Sequence, residues 1–153
     1  MATRYDVFIS FRGEDTRNNF TSHLHSALCR NDINTFIDYR IPKGGAVWDE
    51  LVDAIRNSKL LIVIFSENYA SSKWCLRELV EIMECKKKNE NNVIVIPVFY
   101  KIDPKNVRYQ TGSYSTAFDK HENRSSDRNH VPQWRTALTE AADFSGFHCD
   151  QHR

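Results

Sequence analysis

The chain has 153 residues, enough to bury a core in one domain and too few for two. Apolar residues make up 41% and charged residues 27%, a globular balance that excludes a disordered chain. A formal net charge of +1 supplies no general attraction to nucleic acid or to an anionic membrane.

Tyr5 to Ser10 reads as the first strand, and Phe11 to Asp15 as the turn that follows. Gly13 permits a backbone conformation that other residues resist, and Asp15 or Thr16 is placed to cap the next helix. Phe20, Leu24, Ala27 and Leu28 recur at helical spacing, with Ser22 and His23 on the flank of that stripe. Thr35 to Ile37 forms a short second strand. Asp38 to Gly45 is a loop marked by Pro42 and the Gly44-Gly45 pair. Trp48, Leu51, Val52 and Ile55 define a second helix.

Leu60 to Phe65 is an unbroken apolar run, which suits a central strand covered on both faces. Ser71 or Ser72 caps the third helix, whose apolar side carries Cys75, Leu79, Ile82 and Met83. Glu78 follows Trp74 by one helical turn, so a carboxylate and an indole project together at the mouth of a sheet. Lys86, Lys87 and Lys88 close that helix as a solvated end suited to its dipole, rather than as a nucleic-acid patch.

Val93 to Tyr100 is the fourth strand, and Pro97 predicts a bulge or an early end to its pairing. Asp103-Pro104 reads as the start of a loop. Tyr114, Ala117, Phe118 and His121 fit a short helix, with His121 as a helix-end residue rather than a ligand. Asn123 to His130 is a polar excursion, and Trp134, Leu138 and Ala141 make a further helix ended by Ser145-Gly146. Phe147 to Cys149 is a minimal fifth strand.

Strands alternating with helices predict a flavodoxin-like α/β sandwich around a parallel sheet, joined by right-handed crossovers. In such sheets ligands bind beyond the carboxyl ends of the strands, where Arg12, the Asp38 to Gly45 loop and Ser66 to Trp74 converge. The opening residues, MATRYDVFIS, lack the apolar stretch of a signal peptide, and no segment approaches the roughly 18 apolar residues of a membrane span. A soluble cytoplasmic protein is expected. Cys29, Cys75, Cys85 and Cys149 show no CxxC pair and no histidine at zinc spacing, which favours reduced thiols over a disulfide or a structural metal. Cys149 with His148 and His152 reads as a terminus rather than a metal cluster.

Several chemistries fail at the residues that would carry them. A phosphoacceptor receiver needs clustered acids after the first strand and an aspartate ending the third, whereas the strand ends here read Ser10-Phe11 and Phe65-Ser66. No GxGxxG or GxxxxGK[ST] phosphate cradle is present, and no GxSxG places a histidine beside a nucleophile. Arg12 suits either a ligand phosphate or a turn pairing with Glu14 or Asp15. Glu78 stands out by position, against the alternative of a solvated helix carboxylate paired with Lys73 or Arg77.

In order along the chain, YDVFISFRGEDTRNNFTSHL, TFID, SKLLIVIFSENYASSKWCLRELVEI, VIVIPVFYKIDP, VRYQTGS and WRTAL give it an end-to-end resemblance to a plant-type Toll/interleukin receptor (TIR) domain. The resemblance implies a three-layer sandwich with a central five-stranded parallel sheet, and a single TIR domain over residues 1–153 that lacks the family's last helix. It also implies cleavage of nicotinamide from NAD+ or NADP+, as substrate and with no cofactor. The family's catalytic glutamate falls at Glu78 in Trp74-Cys75-Leu76-Arg77-Glu78-Leu79. Arg12, Gly13, Asp38, Lys43, Gly44, Trp74 and Cys75 are implied to line the dinucleotide site. Ser22 and His23 match the motif through which plant members pack helix on helix, so further copies and other TIR domains are the implied partners.

Two departures accompany that match. Lys43-Gly44-Gly45 stands where the family usually carries Arg-Gly, and Val47-Trp48 after it is unusual. The expectation is therefore an oligomerisation-dependent NAD+ nucleosidase of plant defence, in the cytoplasm with the nucleus as a second compartment. The alternative is a non-enzymatic homotypic adaptor. Nucleic-acid binding gains no support from the near-neutral charge.

Overall fold

A computed structural model of the chain describes residues 5–16, 20–37 and 45–149. In chain order the elements are β1 (Tyr5–Ser10), α1 (Gly13–Thr16), α2 (Phe20–Arg30), β2 (Thr35–Phe36), α3 (Gly45–Arg56), β3 (Ser58–Phe65) and α4 (Lys73–Lys88). There follow β4 (Ile94–Tyr100), α5 (Pro104–Tyr109), α6 (Ser113–Glu122), α7 (Val131–Ala142) and β5 (Phe147–Cys149). Single 3-10 turns, Tyr69–Ser71 and Arg128–His130, precede α4 and α7.

The strands form one parallel sheet in the order β2-β1-β3-β4-β5. Successive side chains of a strand point to opposite faces, so the apolar runs divide into two cores. Phe8, Leu61, Val63, Phe65, Val95 and Phe99 face α3 to α7. Val7, Ile9, Ile62, Ile64, Val98 and Tyr100 face α2, which supplies Phe20, Leu24 and Leu28. The flavodoxin-like plan read from the sequence is the plan of the molecule.

Local chemistry explains where the helices begin. Ser72 caps α4 by accepting a 3.2 Å hydrogen bond from Cys75 N. Lys86 closes the far end, its Nζ donating to the carbonyls of Glu90 and Val93 at 2.7 Å each. Three details differ from the sequence reading. Asp103-Pro104 starts a helix rather than a loop, because Asp103 accepts from Lys105 N at 2.9 Å and Pro104 fills the first helical position. Pro97 makes no bulge: β3 pairs one-for-one with β4 from Leu60↔Ile94 to Phe65↔Phe99, and β5 joins only from Val98. Gly13 begins a helical turn, and the left-handed glycine among the described residues is Gly112, at φ 62°. Asp15 reaches across to the loop after β3, as described below.

Gly146 explains how β5 enters. A Cβ there would lie 2.0 Å from the Pro97 carbonyl oxygen, so only glycine lets the two backbones approach this closely. Among the described residues no helix is long and apolar enough to cross a membrane.

Candidate active site

The chain passes from β1 outward to β2 and then returns past β1 to β3, so the direction of winding reverses between β1 and β3. In open parallel sheets a crevice opens at that reversal, beyond the carboxyl ends of the strands. Ser10 is the last residue of β1, Ser66 follows β3, and α4 begins just above them.

Glu78 lies in this crevice on the second turn of α4, buried to 7% exposure. Ser10 Oγ donates to its Oε1 at 2.8 Å. Tyr69 OH lies 2.8 Å from the same Ser10 oxygen and 3.1 Å from the Cys75 carbonyl, so its single proton is shared between those two acceptors. The solvated alternative for Glu78 is thereby overturned. Lys73 pairs instead with Asp127 at 3.2 Å, Glu81 meets Arg56 at 3.9 Å, and Arg77 lies over the Trp48 ring at 4.1 Å.

Cys75 and Tyr69 stay neutral beside the carboxylate. Burial pushes the Cys75 thiol well above the ordinary thiol range, and the charge of Glu78 pushes it further. Its Sγ donates to the Phe11 carbonyl at 3.5 Å. Burial likewise raises Tyr69, with smaller contributions from Cys75 and Glu78. A protonated thiol is a poor nucleophile, so this cysteine offers no ready thiolate. What remains is a dry, oriented carboxylate, suited to stabilising positive charge that develops beside it.

The rim is tied together by Asp15. Its Oδ2 accepts from Ser66 Oγ at 2.6 Å and from Asn68 N at 2.9 Å, joining the loops after β1 and β3. Its Oδ1 lies 3.4 Å from Arg12 Nη1, which realises the turn pairing that the sequence offered for Arg12. Trp74 is partly buried and meets Trp48 edge-on at 5.0 Å, while Arg77 covers the pair.

The fold brings Arg12, Gly13, Cys75 and Glu78 to the ends of β1 and β3, while Trp74 faces Trp48 of α3. Asp38, Lys43 and Gly44 lie outside the described residues. Ser22 is partly buried and His23 exposed on α2, on the helix that covers the opposite face of the sheet from α4. Sequence reasoning missed Ser10 and Asp15 as members of the site and brought Tyr69 to it only within the stretch Ser66 to Trp74. A polar residue ending an apolar strand, as in Ser10 and Ser66, was the available signal. Among the described residues no group of three or more His, Cys, Asp or Glu is arranged to hold a metal. A separate groove of about 600 Å³ runs along Ile94, Ile96, Phe144 and Phe147, toward the amino end of β4 and away from Glu78.

Comparison with known proteins identifies the family and the fold. A family model described as TIR domain matches residues 4–153. Disease resistance protein RPV1 of Vitis rotundifolia is 55% identical over 146 residues, 95% of this chain and 10% of that protein. TMV resistance protein N of Nicotiana glutinosa is 51% identical over 148 residues, 95% of this chain and 13% of that protein. The chain therefore spans only 10 to 13% of the length of these relatives. The TIR domains in the structure of the activated Roq1 resistosome directly recognizing the effector XopQ align at 49% identity and TM-score 0.84. That alignment covers 94% of this chain and 87% of that one. The TIR domain of the Toll-related receptor TRR-2 of Hydra magnipapillata, at 24% identity and TM-score 0.52 over 91% of this chain and 99% of that one, shares the fold. By the span of that family model and the level of these identities, the chain belongs to the TIR domain family and has its relatives among plant disease resistance proteins.

Proposed function

We propose that this TIR domain signals in plant immunity by cleaving NAD+ or NADP+ between ribose and nicotinamide, in assemblies of several copies. The observation that carries the reading is the buried Glu78 carboxylate, held by Ser10 in the crevice between β1 and β3. The nicotinamide of NAD+ is a cationic pyridinium, so it departs as a neutral base without the general acid that ordinary glycosidases need. Positive charge then builds on the ribose. A carboxylate already desolvated and oriented stabilises that charge without reorganising during the step.

Neutral Tyr69 and Cys75 add no competing anion, and Arg12, paired with Asp15 at 3.4 Å, would exchange that partner for the dinucleotide phosphates. Attack by water on the ribose carbon gives ADP-ribose and a proton. Attack from within the same molecule gives a cyclic product. That the similar Roq1 TIR domains belong to an activated resistosome supports the assembled state as the working form.

The test is nicotinamide release by the purified chain, with and without enforced oligomerisation. Release that rises on assembly and vanishes in Glu78→Ala is expected; release by Glu78→Ala at the unmutated rate removes the assignment. A second reading, homotypic docking without catalysis, is favoured by the exposed His23 and partly buried Ser22 on α2. A chain that self-associates through these residues yet consumes neither dinucleotide supports that reading. Unchanged self-association in Ser22→Ala/His23→Ala, measured by light scattering, assigns the contact to another surface.

A further inference from the structure

Helix α6 grips the loop after β3 through three side-chain donors, each reaching a main-chain oxygen. Ser113 Oγ donates to Glu67 O at 2.6 Å, Tyr114 OH to Ser66 O at 2.8 Å, and His121 Nε2 to Ala70 O at 2.7 Å. A carbonyl only accepts, so Nε2 carries the proton. Ala70 sits beside Tyr69 in the Tyr69–Ser71 turn, the turn that brings the tyrosine hydroxyl to Ser10 and so to Glu78.

His121 is 2% exposed and lies against the edges of Phe118 and Trp134, at 5.6 and 5.2 Å. Its Nδ1 faces Asp127 Oδ2 at 3.9 Å, and neither atom has a hydrogen-bond partner among the described residues. The other oxygen of Asp127 pairs with Lys73 at the start of α4. Burying such atoms unmatched costs stability, so packing alone would be better served by an apolar residue. With Nε2 committed to a carbonyl, the ring has its orientation and its donating nitrogen defined, which is how supporting residues align a functional one.

We propose that His121 is a positioning residue for Glu78, fixing through Ala70 O the turn that aims Tyr69 at Ser10. The proposal rests on the dinucleotide-cleaving reading above. Glutamine places a donor where Nε2 lies; asparagine places one where Nδ1 lies. His121→Gln should keep kcat for nicotinamide release within about threefold, whereas His121→Asn should lower it about tenfold or more at a KM within about twofold.

A second readout needs no turnover. With tyrosine isotopically labelled at the hydroxyl-bearing ring carbon, the Tyr69 resonance, assigned through Tyr69→Phe, should hold its position in His121→Gln and move in His121→Asn. An unmutated protein that releases no nicotinamide removes the dinucleotide reading, and the resonance then decides the positioning role alone. If His121→Asn does not fold, a folded His121→Gln with kcat lowered more than about tenfold overturns the proposal. Folded variants that match the unmutated rate and leave the Tyr69 resonance unmoved overturn it as well.

Discussion

Ser10 Oγ lies 2.8 Å from Glu78 Oε1, so the last residue of the first strand holds a carboxylate 68 residues further along the chain. Replacing Ser10 with alanine removes a donor from a buried anion, a loss of about 1–3 kcal/mol in stability. Urea unfolding should show that decrease. Nicotinamide release should fall about tenfold or more as the carboxylate loses its aim.

Glu78→Gln keeps the shape of the side chain and an oxygen that accepts from Ser10, but discards the negative charge. Nicotinamide release is expected to drop about a hundredfold or more, with a thermal midpoint close to that of the unmutated protein. A glutamine variant of undiminished rate would show that charge at this position is not what the reaction uses.

Alkaline conditions should destabilise the fold through Cys75, Tyr69 and Tyr114. Each is raised chiefly by burial above ordinary values of 9.0 for the thiol and 10.0 for the phenols, so the folded state keeps protons that the unfolded chain releases. The stability they contribute is intact below about pH 8.5 and declines as pH climbs past the unfolded values, by up to about 1.4 kcal/mol per group per pH unit. Urea midpoints measured from pH 7 to about 10.5 should show that decline, with a shallower slope in Tyr69→Phe.

Asp15→Ala cuts the tie between the loops after β1 and β3, leaving Ser66 Oγ and Asn68 N without their acceptor. Hydrogen exchange at the Asn68 amide should accelerate, and stability should fall by about 1–3 kcal/mol. Unchanged exchange at that amide would mean that the loop is held from elsewhere.

Thiol labelling of the native protein should separate the cysteines by burial. Cys29 is exposed and Cys149 partly so, while Cys75 and Cys85 are buried and burial raises both of the latter thiols. Cys29 is expected to react first, and Cys75 only after unfolding.

The sheet and its helices were legible in the sequence because their signal is local. The apolar run Leu60 to Phe65 suits a doubly covered strand, and Ser71-Ser72 ahead of a helical stripe marks a cap, which the structure assigns to Ser72. Glu78 was legible by position and by its motif. Its partners were not, since Ser10 and Tyr69 are 59 residues apart in sequence and no short window holds both. The Asp103-Pro104 pair was misread because proline both ends helices and begins them; the cap on Lys105 N decides which. His121 does lie in the last turn of α6, as the sequence reading had it, but its contacts were not legible because Ala70 and Asp127 come from other segments.

Every residue type carries a carbonyl, and it is carbonyls that α6 holds at positions 66, 67 and 70. Glu67, whose side chain is exposed, can therefore exchange its chemistry while Ser113 keeps the loop where it is. Natural variation has a place here to alter what the crevice meets without disturbing its shape. Substitutions on α6 do the reverse, reshaping the crevice from behind while leaving its lining intact.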